Sequence, residues 1–384
     1  MNTTILVLNA GSSSIKFAAF EAGTQARVLS GQVGNIGRDA FVETDGVSKT
    51  APDIDDHGGA LRCILDVLED RNLIATIGGV GHRVVHGGDR FDAPVRVDGD
   101  TITALEALAP LAPHHQPHNV GAIRHLARRH PELAQVACFD TAFHQTQPAV
   151  ARWTGLPRDY AARGIRRYGF HGLSYQSLVD RFEAVTGHPL PRRVIALHLG
   201  NGASMAAIEN GQSIATTMGF STLDGIPMAT RSGAVDPGVL IHLMATDGLD
   251  AAGIEDLLYN RSGLLGLSGT TADMRALLES KTAEAEDAVT YYCYRIAREI
   301  GSLAAAMGGV DAIAFTGGIG ENAPAIRERI CTDAAWLGVG LDNAANAAGG
   351  PRLSPEGTTT SAWIIPADEE GVIARMTHAC LGLG

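Results

Sequence analysis

The chain has 384 residues, 45% of them hydrophobic and 19% charged, with a formal net charge of −12. That length suits two domains or three, and the composition is that of an ordinary soluble globular protein. The acidic balance argues against nucleic acid or an anionic membrane as the main partner, so any anionic ligand must be held by a local basic site.

Residues 1–50 read as a β-meander. Ile5-Leu6-Val7-Leu8 is a strand, Asn9-Ala10-Gly11-Ser12-Ser13-Ser14 a tight loop, and Ile15-Lys16-Phe17-Ala18-Ala19-Phe20 a second strand ending in a hairpin turn at Glu21-Ala22-Gly23. Residues 58–73 carry helical periodicity. Ile77 to Val85 is a strand leading to His86-Gly87-Gly88. The proline- and histidine-rich stretch Ala109 to Asn119 is a loop entering a helix, Val120–Arg129, and Val136–Phe139 is a short buried strand ending at Asp140. Strand ends are where α/β proteins place their chemistry. A crossover between domains is expected within 150–175.

The opening pattern then returns. Val194 to Leu199, the loop Gly200-Asn201-Gly202-Ala203-Ser204, Met205 to Ile208 and a turn at Glu209-Asn210-Gly211 repeat strand, glycine loop, strand and turn within a second meander over 193–218. Helices are expected at 236–246, 253–259, 271–280 and 283–307. Asp311–Thr316 is a strand running into Gly317-Gly318-Ile319-Gly320-Glu321-Asn322, with Asn322 as a helix cap. Trp363–Ile365 is the last strand and 370–380 the last helix. Two copies of one unit about half a chain apart predict two similar α/β domains, each aiming a nest of backbone N–H groups at phosphate.

Five cysteines, Cys63, Cys138, Cys293, Cys331 and Cys380, form no C-x-x-C pair and read as reduced thiols, mostly core filler. The N-terminal apolar run is too short for a signal peptide, and no stretch approaches the ~20 apolar residues of a membrane span. A cytoplasmic location is expected, with no membrane partner.

Several groups carry chemistry. Ser12, its neighbouring hydroxyls and Lys16 can cradle a phosphate and supply a point charge; alone they are equally a polar hairpin. In Gly81-His82-Arg83-Val84-Val85-His86 a guanidinium between two histidines disfavours a cation, so Arg83 reads as an anion clamp and the imidazoles as structural partners. His171, in Tyr168-Gly169-Phe170-His171-Gly172, and Arg231, in Thr230-Arg231-Ser232-Gly233, complete a cationic set suited to phosphoryl transfer, which is mostly positioning and charge stabilisation. Asp140 and Glu369 follow apolar strands, and one or both can hold Mg²⁺; Glu369 can equally cap the last helix. Gly317–Asn322 either packs bare backbone against a purine or makes a tight turn.

Seven ordered blocks, namely Leu8–Lys16, Val80–Gly87, Phe139–His144, His198–Gly202, Thr230–Gly233, Asp273-Met274-Arg275 and Gly317–Asn322, resemble the signatures of the acetate, propionate and butyrate kinase family over nearly the whole length. The resemblance implies the acetate and sugar kinase/Hsp70/actin superfamily fold, a duplicated ribonuclease H-like α/β fold. It implies an N-terminal actin-like domain over 1–150, completed by the C-terminal helix at about 370–384, and a second over 151–369. The implied reaction is reversible ATP-dependent phosphorylation of acetate to acetyl phosphate, or of propionate or another short carboxylate.

By position, Asn9 and Glu369 would attend Mg²⁺, with Mn²⁺ able to substitute. Ser12, Lys16, His198, Leu199, Gly200, Asn201, Gly202, Asp273, Met274, Arg275, Gly317, Gly318, Ile319, Gly320 and Glu321 would contact ATP or ADP. Arg83 would bind the carboxylate, while His171 and Arg231 stabilise the moving phosphoryl group. Asp140 matches the family's essential aspartate. Val85, His114, Phe170 and Thr222 would line the acyl pocket. A homodimer is implied.

The chain departs from the family pattern at Ala112–Pro117, where His114 replaces a leucine, and at Ser221–Gly225, where Thr222 replaces a proline. Two further departures are Leu173-Ser174-Tyr175 and Met228-Ala229-Thr230-Arg231. The first two bear on substrate chain length. Two rivals are a hydroxyl-directed kinase of the same superfamily, which needs a true general base, and an actin-like assembly ATPase, which would polymerise without small-molecule turnover.

Overall fold

The computed structural model describes residues 3–383. Met1 and Asn2, at the start of the first expected domain, and Gly384, at the end of the expected C-terminal helix, lie outside the described residues. The chain divides into two compact units, Met1–Phe143 with Asp368–Gly384, and His144–Ala367. The division thus comes before the expected 150/151 boundary and the 150–175 crossover. The cause is local. His144 is already built into the second unit: Nε2–H donates to the Phe170 carbonyl at 2.8 Å, and Nδ1 accepts from Ser213 Oγ at 2.8 Å.

In the first unit, Thr4–Ala10 (β1), Ile15–Glu21 (β2), Arg27–Gly34 (β3), Phe41–Thr44 (β4) and Val47–Thr50 (β5) form the antiparallel meander. His57–Asp70 (α1), Ile77–Val84 (β6), Val95–Arg96 (β7), Gly99–Ala107 (α2), Gln116–Arg129 (α3) and Gln135–Phe139 (β8) follow. The sheet order is β5-β4-β3-β2-β1-β6-β8-β7, with β6 parallel to both β1 and β8. Leu6, Leu8, Ile15 and Phe17 pack with Leu61, Ile64 and Leu68 of α1 and Leu126 of α3. Each such buried side chain contributes roughly 1.5–3 kcal/mol. Helix α2, capped by Asp98, was not expected from the pattern. Helix α3 starts at Gln116 rather than at 120, because Pro117 in its first turn lacks only an N–H that would have no partner there.

The C-terminal helix Glu369–Leu381 completes this unit and lies against β6. Gly81 permits the approach: a Cβ there would run into Thr377 and Ile373. The helix is capped by Asp368, whose carboxylate accepts from Gly371 N, so Glu369 is not the capping group.

The second unit opens with Arg158–Ala162 (α4) and Gly172–Thr186 (α5), then the second meander, Arg193–Leu199 (β9), Ala203–Glu209 (β10) and Gln212–Thr216 (β11). Helices Pro237–Thr246 (α6), Ala251–Asn260 (α7), Gly263–Ser268 (α8), Met274–Glu279 (α9) and Ala283–Met307 (α10) precede Ala312–Thr316 (β12). Gly317–Asn322 (α11), Pro324–Asp333 (α12), Asn343–Ala348 (α13) and Ser361–Ile364 (β13) complete the unit, and the C-terminal helix is α14. The order β11-β10-β9-β12-β13, with β12 parallel to β9 and β13, repeats β3-β2-β1-β6-β8. The duplication read in the sequence is therefore a duplication of topology.

Gly317–Asn322 is a short helix, and Asn322 does not cap the next one. Ala323 precedes Pro324, whose fixed φ starts α12, and Asn322 Nδ2 donates back to the Gly318 carbonyl at 3.0 Å. Cys138, Cys293 and Cys331 are buried, and burial pushes the last two thiols up to about 12, as expected for inert core cysteines. Among the described residues no helix is long and apolar enough to cross a membrane.

Candidate active site

In the first unit the chemistry gathers where β1, β6 and β8 end. Asn9, next to last on β1, pairs across the hairpin with Lys16 on β2. The intervening loop is a turn, Gly11 N donating to Ser14 O at 2.8 Å, and Ser12 and Lys16 stand exposed beside it. Arg83, next to last on β6, reaches Asp140, the residue after β8. Nε lies 3.0 and 3.2 Å from the two carboxylate oxygens, and Nη2 donates to Oδ2 at 2.6 Å. Asp140 is 1% exposed. The Asn9 amide oxygen is 3.4 Å and Glu369 Oε2 3.9 Å from Arg83 Nη1. Burial opposes the Arg83 charge, but Asp140, Glu369 and Glu370 outweigh it and hold its pKa above the ordinary guanidinium value. The structure thus brings together Asn9, Arg83, Asp140 and Glu369, residues 360 positions apart at the extremes.

Asn9 and Glu369 offer hard oxygen donors. Among the described residues no group of three or more His, Cys, Asp or Glu side chains converges on a point. Hard oxygen donors of this kind suit Mg²⁺ rather than a soft metal.

Two side chains that the sequence reading left in a loop hold this site in place. Asn119 and Gln116 lie three residues apart on one buried face of α3. Asn119 Nδ2 donates to the Ala10 carbonyl at 2.7 Å while its oxygen accepts from Val85 N at 3.0 Å, tying β1 to β6. Gln116 pairs with both the N–H and the carbonyl of His86. The signal was present: two amides spaced i, i+3 that flank the helix-starting Pro117. His82 is structural, as expected: it is buried, meets the Gln135 amide at 2.8 Å, and burial lowers its pKa to about 4. Val85 is buried and His114 exposed.

In the second unit His171 precedes α5 in a left-handed conformation, φ +58°, ψ 23°. Such strain in a non-glycine residue clusters at functional sites. Its ring stacks on His198, at the end of β9, with centroids 4.3 Å apart. A Cβ built on Gly202 would lie 3.4 Å from His171 Nε2 and 3.9 Å from Arg231 Nη1, so imidazole and guanidinium face one point at the edge of the glycine loop. Arg231 Nη1 also donates to the Thr222 carbonyl at 3.1 Å, which joins Thr222 to this group. Phe170, beside His171, is buried.

The second glycine segment adjoins the first. Thr316 pairs with His198 across β12 and β9, and a Cβ at Gly200 would lie 3.9 Å from Gly318 N. Gly317 has φ +79°, and a Cβ there would meet the Leu199 carbonyl at 2.8 Å. Glu321 clamps this turn: its Oε1 accepts from Gly317 N at 2.9 Å and Ala367 N at 3.0 Å. Arg327, 1% exposed, donates to the carbonyls of Gly320 and Glu321 and to Asn346, fixing the end of α11; the sequence reading did not single it out. Asp273 and Arg275 are exposed, Asp273 capping α9 through Arg275 N, while Met274 is buried. Leu199 is core and Asn201 exposed.

The chain matches the family model described as the acetokinase family over residues 4–375. It is 50% identical to a protein named acetate kinase from Rhodopseudomonas palustris, covering 98% of each chain, and 46% identical to another from Methylocella silvestris, covering 99% and 98%. Among solved structures, it superposes on a propionate kinase from Francisella tularensis with a TM-score of 0.93 at 34% identity, covering 98% and 99%. It superposes on the Porphyromonas gingivalis acetate kinase with a TM-score of 0.90 at 38% identity, covering 99% and 100%.

Proposed function

The chain belongs to the acetokinase family, and on that premise we propose that it phosphorylates acetate with ATP, reversibly, by direct in-line transfer to the carboxylate. The observation that carries the reading is the Arg83–Asp140 clamp. A hydroxyl acceptor needs a general base, whereas acetate is already ionised near neutral pH. Asp140, the buried carboxylate at this strand end, spends both oxygens on a guanidinium, which makes it a poor base and a good organiser. That favours a carboxylate acceptor over a sugar.

In this reading Arg83 binds the acetate carboxylate and Asp140 fixes the plane of Arg83. His171 and Arg231 aim donors at the equatorial oxygens of the transferring group, where charge spreads in the transition state. Lys16, Ser12, the His198–Gly202 loop and Gly317–Glu321 hold the nucleotide, with Asp273–Arg275 at its outer side. Glu321 contributes by keeping the Gly317 turn closed. Asn9 and Glu369 would hold Mg²⁺ or Mn²⁺, whose charge would offset that of the phosphates. Val85, His114, Phe170 and Thr222 are the residues assigned to the acyl group. Acetate is the main substrate, with measurable propionate turnover, because one methylene is worth only ~1–3 kcal/mol of discrimination. The protein works in the cytoplasm as a homodimer.

ATP consumption with acetate, propionate, butyrate, glucose or no acceptor, with hydroxylamine trapping, tests the reading. A hydroxamate formed fastest with acetate supports it. Hydrolysis without hydroxamate, phosphorylation of glucose, or faster turnover of butyrate overturns it.

A further inference from the structure

Behind His171 runs a buried chain of hydroxyls that its proposed role does not account for. The spacing His171-x-x-Ser174-Tyr175 puts the second and third of these one turn beyond the first on α5, and both backbone N–H groups bond the His171 carbonyl, at 3.0 and 3.1 Å. Tyr175 OH lies 2.5 Å from Ser204 Oγ, and Ser204 Oγ lies 2.9 Å from His171 Nδ1. Tyr175 and Ser204 are both 0% exposed. Ser174 makes a parallel contact, its hydroxyl 2.8 Å from Nδ1 of the stacked His198. Ser204 on β10 is also the strand partner of His198 on β9, so helix and hairpin register together fix all five side chains.

We propose that Tyr175 is a positioning residue for His171: its hydroxyl donates to Ser204, Ser204 donates to His171 Nδ1, and the ring proton is held on Nε2, toward Gly202 and Arg231. A phenol is the better donor of a phenol–alcohol pair, and a buried hydroxyl must give its proton to an acceptor. Burial raises the Tyr175 pKa, which keeps that proton in place. Ser204 then has one proton to donate, and Nδ1 takes it. Which imidazole nitrogen carries the proton is set by the bond the other one makes. The Nε2–H tautomer presents a donor to an anionic phosphoryl oxygen; the other tautomer presents a lone pair and repels it.

The inference rests on the reading of His171 as a phosphoryl-group donor, but its test does not depend on turnover. Full-length protein labelled with ¹⁵N-histidine is studied at a pH where the ring is neutral, with His171→Gln used to assign the resonance. The wild type is expected as the Nε2–H tautomer. Tyr175→Phe is expected to populate Nδ1–H and to lower kcat roughly 10- to 100-fold with KM for ATP nearly unchanged, the usual cost of losing an orienting partner. A wild-type proton on Nδ1 overturns the proposal. So does a Tyr175→Phe protein that loses thermal stability but keeps the wild-type tautomer and kcat. If Tyr175→Phe does not fold, Ser204→Ala supplies the same comparison. A wild type with the Nε2–H tautomer and no hydroxamate product would overturn the assigned activity and leave the relay standing.

Discussion

Replacing Asp140 by asparagine keeps its shape but changes what it offers Arg83. The carboxylate takes three contacts from the guanidinium, the shortest, 2.6 Å, on Oδ2. An amide keeps one acceptor and turns the other toward Nη2 or Nε as a donor. Breaking a buried ion pair typically costs about 3–5 kcal/mol. Here Glu369 remains 3.9 Å from Nη1 and the Arg83 side chain is 20% exposed, so solvent and the second carboxylate offset part of the loss. The expected destabilisation is about 2–3 kcal/mol, or roughly 4–12 °C in Tm for a unit of this size. Arg83→Met should cost more, about 3–5 kcal/mol, because it takes the guanidinium away from a carboxylate with almost no water contact. In the double variant neither charge is stranded. Urea unfolding of the wild type, both single variants and the double variant closes the cycle, and the double should fall short of the sum by about 2 kcal/mol. Additivity within about 0.5 kcal/mol would refute the claim that Asp140 exists to hold Arg83.

Arg231→Ala and His171→Ala should each lower kcat by ~10²–10³ with little change in the KM for ATP, as expected for groups that act on transition-state charge; near-wild-type kcat in both would remove them from the mechanism. Acid should weaken both units, because burial depresses His82 in one and His144 in the other to about 4. Between about pH 6.5 and 4 the unfolded chain binds protons that these native imidazoles refuse, so stability falls as pH falls through that window, by about 2 kcal/mol per histidine at pH 5. His82→Gln should lose less stability than wild type between pH 7.5 and pH 5, and an equal loss in urea midpoints would contradict the linkage. His114 is exposed, so His114→Leu should leave the propionate-to-acetate ratio of kcat/KM within about threefold, less than a lost methylene contact costs; a tenfold change would place the ring inside the pocket.

Much of this was legible before folding. The short apolar runs and the two glycine loops each specify their element within a few residues, because a buried strand and its turn chemistry act over short stretches of chain. The two meanders and the long helix 283–307 appear where the sequence places them. Helix α2 has little apolar periodicity, and the proline near the start of α3 reads as a loop, although the buried amides Gln116 and Asn119 on either side of it fix that turn. Asp273–Arg275 shows the opposite limit: a signature can be read, yet in the described structure its aspartate acts as a helix cap.

The sequence by itself determined a duplicated α/β chain with Arg83, His171 and Arg231 as candidate anion-binding cations beside glycine turns, since residue type and local spacing say which groups can meet phosphate; the parts of Asn9, Asp140 and Glu369 came from the family resemblance. Tertiary structure decided what each of them does to the others. Asp140 might have been a base, a metal ligand or an organiser; packing β8 beside β6 gives both its oxygens to Arg83. Glu369 might have been a cap; Asp368 takes that place, and α14, seated on Gly81, leaves Glu369 beside the guanidinium. The His171 relay depends on one helix turn meeting one strand register. These are contacts between groups tens to hundreds of residues apart, and their energies depend on burial and direction at the ångström scale, which no local pattern encodes.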